Sequence, residues 1–325
     1  MRKIQFRQAI REAMVEEMRR DANVFLMGEE VAEYQGAYKV SQGMLDEFGP
    51  IRVIDTPISE LGFAGLGVGA AMNGLRPVVE FMTWNFALLA IDQIVNGAAK
   101  LLSISGGQIK TPIVFRGPNG SAGQLGATHS QAFEPVYAYF PGLKVISPSN
   151  PYDAKGLLKS AIRDDDPVIF LESEVMYNDL GEVPEEEYLI PIGQAAVVQE
   201  GSDVTIVSWN KMMKVTLDTA EALQKEGIHA EIIDLRTIRP MDIETIIRSV
   251  QKTNRLVIVE EAWPFGSVST EITYRVQQHA FDYLDAPVKR ITSADANMHY
   301  APTLVEAFLP SVAQVIEAVK ATMYL

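Results

Sequence analysis

Few side chains in this sequence are equipped for chemistry, and most of those are carboxylates. Among 325 residues there are 42 Asp and Glu, four His and no Cys. Without cysteine, disulfides, zinc ribbons, iron–sulfur clusters and thiol nucleophiles are excluded together. His129, His229, His279 and His299 include no pair at the helical spacing of a zinc protease. A bound metal is therefore expected to be hard and oxygen-ligated. Glu60 follows Asp55-Thr56-Pro57 at the start of a helical stretch. A carboxylate there can simply oppose the helix macrodipole, worth roughly 0.3–1 kcal/mol, or it can serve a site. His129 closes the glycine-rich stretch GPNGSAGQLGATH (117–129), which lacks the Gly-Lys-Ser/Thr ending of a phosphate loop. That stretch reads equally as a flexible connection or as an active-site loop at the carboxyl end of a strand. SAIRDDDP (160–167) crowds three acids into a turn that is, on its own terms, a solvated loop.

Short apolar runs alternating with helical patterns must position these groups. VFLMG (24–28), RVIDTP (52–57), VVEFM (78–82), PIVFRG (112–117), LKVISP (143–148) and PVIFLE (167–172) read as strands. Helical stretches at 59–73, 86–103 and 151–163 lie between them, after an opening helix with Phe6, Ala9, Ile10, Ala13, Met14 and Met18 on one face. The glycines of GLGVGA (65–70) fall inside a helix, not in a strand-to-helix turn. They therefore read as a close-packing face and not as a dinucleotide fingerprint. Residues 176–202, acidic and broken by prolines, read as an exposed linker. Alternation resumes at 204–209, 230–235, 255–261 and 288–293, and a last helix carries Val312, Val315, Ile316 and Val319 on one stripe. The expected architecture is α/β with two doubly wound domains, residues 1–175 and 203–325.

The bulk numbers narrow the class. A net charge of −14 repels phosphate backbones, so nucleic acid is an unsuitable partner. No apolar run reaches the roughly 18–20 residues needed to span a bilayer. The N-terminus has charges scattered through it, unlike a signal peptide, and is too acidic for a transit peptide. A cytoplasmic protein, or one already processed, is expected.

ISELGFAGLGVGAAMNGLRP (58–77), EFMTWNFALLAIDQIVNGAAK (80–100), PIVFRGPNGSAG, THSQ (128–131), PGLKVISPSNPYDAKGLLKSAIRDDDPVIFLE (141–172) and DLRTIRPMDIETI (234–246) occur in order. Together they closely resemble the beta subunit of thiamine-diphosphate-dependent 2-oxo acid dehydrogenases, nearly end to end. The resemblance implies a pyrimidine-binding domain of transketolase type followed by a transketolase C-terminal-like domain. It implies that Glu60 hydrogen-bonds the N1′ ring nitrogen of the cofactor's aminopyrimidine, a task suited to a desolvated carboxyl that keeps its proton readily. By the same likeness Phe86 stacks on that ring, Met82 borders it and Ile58 offers a main-chain contact. His129 sits at the active-site entrance, binding the substrate carboxylate or moving a proton. His299, in NMHYAP, is expected to be structural. Ile113, Ala161, Ile162, Asp164 and Asp166 match a potassium site built largely from carbonyls. Asp166 stands where the family often has asparagine, which leaves the ion's identity open.

A complete thiamine enzyme also needs a Gly-Asp-Gly motif for metal and diphosphate, and this sequence has none. The resemblance therefore implies that an alpha subunit holds Mg2+ and the diphosphate, in an alpha2beta2 heterotetramer. Asp92, Gln93 and Asn96 are expected at a chain–chain contact. The second domain is expected to support the beta–beta contact and to dock a dihydrolipoyl acyltransferase core. EEVAEYQGAYKVSQGM (29–44) is most like pyruvate-type members. The implied reaction is oxidative decarboxylation of pyruvate with acetyl transfer to a lipoyl group. Branched-chain and acetoin-cleaving relatives share the scaffold. A sugar-phosphate half-transketolase would call for more basic and histidine residues at the entrance. A non-catalytic scaffold would have no use for Glu60 with Phe86.

Overall fold

Strands covered on both faces need near-continuous apolar runs, and VFLMG and VIFLE become central parallel strands in the computed structural model, which describes residues 1–325. The chain forms two units, residues 1–119 with 136–192 and residues 120–135 with 193–325.

The first unit carries β1 (Arg2–Gln5), α1 (Phe6–Arg20), β2 (Val24–Gly28), α2 (Met44–Phe48), β3 (Val53–Asp55), α3 (Glu60–Met72) and β4 (Arg76–Glu80). A 3-10 turn (Phe86–Ala90), a π-helical turn (Gln93–Ala98) and α4 (Ala99–Ile104) lead to β5 (Val114–Pro118). After α5 (Glu134–Ala138) come β6 (Lys144–Ile146), α6 (Pro151–Arg163), β7 (Val168–Glu172) and β8 (Leu180–Val183). Six parallel strands lie in the order β6-β7-β5-β4-β2-β3. All six apolar positions of the α1 stripe are buried, and Phe6, Ile10 and Met14 share a core with Leu157, Leu158 and Phe170.

Two local expectations change. The helix expected over 86–103 is three pieces, with a widened π turn in the middle. That turn packs close on the glycine face of α3: a Cβ at Gly65 would lie 3.1 Å from Gln93 Oε1. Gly67 instead admits the sheet, where a Cβ would lie 2.7 Å from Val79. Second, part of 176–202 is structured: β8 pairs antiparallel with β1, which buries Val183, and Ile190 packs in the core.

The second unit contains a 3-10 turn (Ala127–His129), β9 (Ala196–Gln199), β10 (Val204–Ser208), α7 (Met212–Lys225), β11 (Ala230–Asp234) and β12 (Thr237–Arg239). It continues with α8 (Ile243–Thr253), β13 (Leu256–Val259), α9 (Val268–Ala280), β14 (Lys289–Ile291), α10 (Pro302–Phe308) and α11 (Val312–Thr322). Its sheet runs β14-β13-β10-β11-β9, with β9 alone antiparallel. Val315 and Val319 of the last helix join Ile206, Ile232 and Val257 in its core. No helix in the chain is long and apolar enough to cross a membrane.

Candidate active site

Doubly wound sheets offer a crevice outside the carboxyl ends of the strands, where strand order reverses. In the first unit the chain goes from β2 outward to β3, then returns to β4 on the other side of β2. Register aligns Gly28, at the end of β2, with Asp55 of β3 and Glu80 of β4. Glycine is required at this point, because a Cβ on Gly28 would stand 2.6 Å from the Glu80 carbonyl oxygen.

Glu29 follows directly on the carboxyl end of β2 and is only 5% exposed. The loop that carries it is tied down. The N–H groups of Ala32 and Glu33 donate to the Asp55 carboxylate at 2.7 and 3.0 Å, and Ser41 Oγ donates to the Val31 carbonyl at 2.6 Å. Glu60, the first residue of α3, is 4% exposed. Its place in the first turn suits the macrodipole, yet such a role needs no burial, and burying a carboxylate is costly without a partner. Glu29 and Glu60 interact directly. Burial first, then the charge of Glu60 and a hydrogen bond with it, push the Glu29 carboxyl up to about 7. Glu29 Oε1 is buried without a hydrogen-bond partner. Two buried carboxyl groups thus stand together beyond the carboxyl end of β2, one of them raised toward neutral pH. Sequence reasoning named Glu60 and missed Glu29, although an acid just past the end of a central strand was a usable signal.

The segment after β4 supplies the apolar wall. Phe81, Trp84 and Phe63 of α3 form a cluster, with Phe63–Phe81 ring centroids at 5.6 Å and Phe81–Trp84 at 5.5 Å. Trp84 also meets Tyr137 edge-on at 4.8 Å. These contacts lock α3, and with it Glu60, onto the segment bearing Met82 and Phe86. Both of the latter are half-buried, while Ile58 is 85% exposed. A flat heteroaromatic ring with one protonatable nitrogen fits residues of this kind: an aromatic face, apolar borders and a buried carboxyl. Behind the wall, fully buried Arg116 donates to Glu172 at 2.5 Å and to Glu80, while Tyr177 Oη donates to Glu172 at 2.8 Å. Burial pushes the Glu80 carboxyl up despite the arginine.

The five positions matched to a potassium site gather around the C-terminus of α6 and the approach to β5. Helix C-termini leave carbonyls without intrahelical partners and carry the negative dipole end. Arg76 uses this place, donating to the Ile162 and Asp164 carbonyls at 3.1 and 2.9 Å. The Ile113 carbonyl accepts from Val168 N–H, and that of Ala161 from Asp164 N–H. Lys144 pairs with Asp164 at 2.6 Å and Asp166 at 3.1 Å. No group of three or more His, Cys, Asp or Glu forms a metal cage anywhere in the chain. The donor set is carbonyl in character, each oxygen keeps a second lone pair, and it fits a large monovalent cation better than a divalent one.

Asp92, Asn96 and Lys100 form an exposed hydrogen-bonded ladder, with Asn96 donating to Asp92 and Lys100 to Asn96, each at 2.6 Å. Exposed Leu61, Leu88 and Leu89 belong to the same unit.

His129 belongs to the second unit, whereas Glu60 belongs to the first. It ends a loop closed at its base by a hydrogen bond from Gly120 N–H to the Gln131 carbonyl, 2.9 Å. Its Nδ1 lies 2.9 Å from Thr128 Oγ1, and its backbone N–H reaches the Gly126 carbonyl at 3.3 Å. His299 is exposed, next to Tyr300, whose ring lies where a Cβ on Gly126 would be.

Residues 2–179 match the family described as transketolase, pyrimidine binding domain, and residues 193–315 match transketolase, C-terminal domain. The chain is 59% identical to a pyruvate dehydrogenase E1 component subunit beta of Rhizobium meliloti, over 98% of this chain and 69% of the relative. It is 58% identical to the protein of that description from Rickettsia felis, over 99% and 98%. A mitochondrial beta-1 subunit of Oryza sativa is 55% identical, over 98% and 86%. Among solved structures, a split gene transketolase described as an inactive beta4 tetramer superposes with a TM-score of 0.81 at 21% identity, covering 99% of both chains. At that identity the likeness shows the fold.

Proposed function

The chain belongs to the family of pyruvate dehydrogenase E1 component beta subunits, and on that premise we propose that Glu60, Glu29 and Phe86 form its half of a thiamine diphosphate site. The chain serves an enzyme that decarboxylates pyruvate oxidatively and is active with an alpha subunit. Thiamine diphosphate, when bound, supplies the carbanion chemistry that lets a 2-oxo acid lose carbon dioxide.

The chain's own residues do the rest. Glu60 hydrogen-bonds the pyrimidine N1′ and so sets that ring's tautomer. Glu29 keeps a proton in reserve beside it, because burial and the charge of Glu60 favour its neutral form. Phe86 fixes the plane of the ring by stacking, Met82 excludes water from its edge, and the Ile58 backbone meets its polar side. His129 receives the substrate carboxylate or relays a proton at the entrance. Ile113, Ala161, Ile162, Asp164 and Asp166 hold a potassium ion that stiffens the C-terminus of α6. Mg2+ and the diphosphate fall to the alpha chain in an alpha2beta2 assembly, which hands the acetyl group to a dihydrolipoyl acyltransferase core. Exposed Ile58, Leu61 and Leu89, at 85%, 52% and 65%, suit a covering chain.

The observation that carries this reading is the buried Glu29–Glu60 pair at the reversal point of the sheet. Deuterium exchange at the thiazolium C2, measured on the assembled enzyme, tests it. Glu60→Gln should slow exchange by two orders of magnitude or more, as loss of a positioned acid–base group does. Exchange at the unaltered rate would refute the role. Turnover of a branched 2-oxo acid equal to that of pyruvate would overturn the substrate assignment.

A further inference from the structure

The second unit has its own reversal point. From β10 the chain runs out to β11 on one side and comes back to β13 on the other. Asn210 and Lys211 leave the carboxyl end of β10, and Glu260 and Glu261 leave that of β13. A ligand crevice belongs at this point. Glu260 is turned aside to the start of α9, where its carboxylate accepts the Ser269 N–H at 2.8 Å. Lys211 and Glu261 remain, 8% and 9% exposed and 2.5 Å apart.

What they grip is the chain itself. Lys211 Nζ donates to the Ser121 carbonyl at 2.7 Å and to Ser121 Oγ at 2.5 Å. Glu261 accepts the Ser121 backbone N–H at 2.6 Å. An ammonium has three N–H donors, and here Glu261 and the two oxygens of Ser121 take all of them. Gly120 sits at φ +75, and a Cβ on it would collide with the Glu261 carboxylate. The grip falls at the base of the His129 loop, where Gly120 N–H bonds the Gln131 carbonyl.

We propose that Lys211 and Glu261 are positioning residues for the His129 loop, and that the crevice of the second unit is occupied by this loop instead of by a separate small molecule. The functional part of the proposal rests on the reading of His129 as an entrance residue. A glycine-rich loop is costly to order, and a buried, fully partnered ion pair at its base gives it one geometry. Losing either partner alone leaves an uncompensated buried charge, so the neutral pair Lys211→Met with Glu261→Gln is the cleaner test.

The experiment uses the assembled alpha–beta enzyme. Deuterium uptake of amides 120–131 should rise about tenfold in rate in the double variant, with uptake in α8 and β11 unchanged, and KM for pyruvate should rise about tenfold while kcat moves less. Lys211→Arg, which keeps charge and donors, should restore part of the protection. Unchanged uptake of 120–131 in the double variant overturns the proposal. His129→Ala separates the two readings. If it leaves KM and kcat alone while the double variant still loosens the loop, the entrance role fails and the clamp stands. If it impairs turnover while the double variant alters neither uptake nor KM, the clamp fails and the entrance role stands.

Discussion

Glu29 lies against Glu60, and the two buried carboxyl groups share one crevice in which Glu29 keeps its proton up to about 7. Like charges this close disfavour each other's ionisation, and burial adds to the effect. A neutral acid and a carboxylate side by side can each do a different task within the same few ångströms.

The raised Glu29 group makes stability depend on pH. In the unfolded chain it titrates near the ordinary value of 4.5, and in the fold near 7. The folded state therefore binds more protons between those values. Its contribution is fully present below about pH 4.5 and is lost as pH rises through 7. Glu29→Gln should flatten the fall in Tm across that window, relative to the unaltered chain, in thermal unfolding followed by circular dichroism.

Removing the neighbouring charge should lower Glu29 without normalising it. In Glu60→Gln the charge and the carboxyl hydrogen bond partner are gone, but burial, the largest cause, remains. Carboxyl carbon NMR of labelled glutamate should show a Glu29 titration below 7 and still above 4.5.

Two aromatics two positions apart should part company. Phe86→Ala removes half-buried stacking area and should weaken thiamine diphosphate binding roughly two- to tenfold, about 0.5–1.5 kcal/mol, with Tm little changed. Trp84 is fully buried between Phe81 and Tyr137. Trp84→Ala should cost about 3–5 kcal/mol of stability, read by denaturant unfolding.

Arg116 pairs with both Glu80 and Glu172. Arg116→Met leaves two buried carboxylates uncompensated and should destabilise the first unit by about 3–5 kcal/mol. Adding Glu80→Gln and Glu172→Gln should recover most of that loss in the same unfolding assay.

At the C-terminus of α6, Arg76 donates to the Ile162 and Asp164 carbonyls and leaves each a second lone pair. Replacing KCl by tetramethylammonium chloride should lower Tm if potassium shares the site, and Arg76→Gln should enlarge that drop. No difference between the salts in either protein would remove potassium from the assignment.

Much of the fold was legible in the sequence. Strands at 24–28, 168–172 and 204–208 appear within the expected runs, because short apolar segments bounded by Gly, Pro or Asp have few other solutions. The α1 stripe is buried as its spacing predicts. The π turn at Gln93–Ala98 was not legible from the spacing of its own segment, and its approach to Gly65 is a contact between segments. The pairing of β8 with β1 was hidden for a similar reason: GEVPEEE looks like linker until its partner edge is known.

By itself, the sequence determined most of the central strands, the two-domain α/β class, the family and the presence of Glu60, Phe86 and His129. These rest on local periodicity and on ordered motifs, which travel with the chain. Tertiary structure alone decided that Glu29 faces Glu60 and that Lys211 and Glu261 close on Ser121. Strand register and crossover direction choose which carboxyl ends stand together, and neither quantity is written in the spacing of residues along one segment.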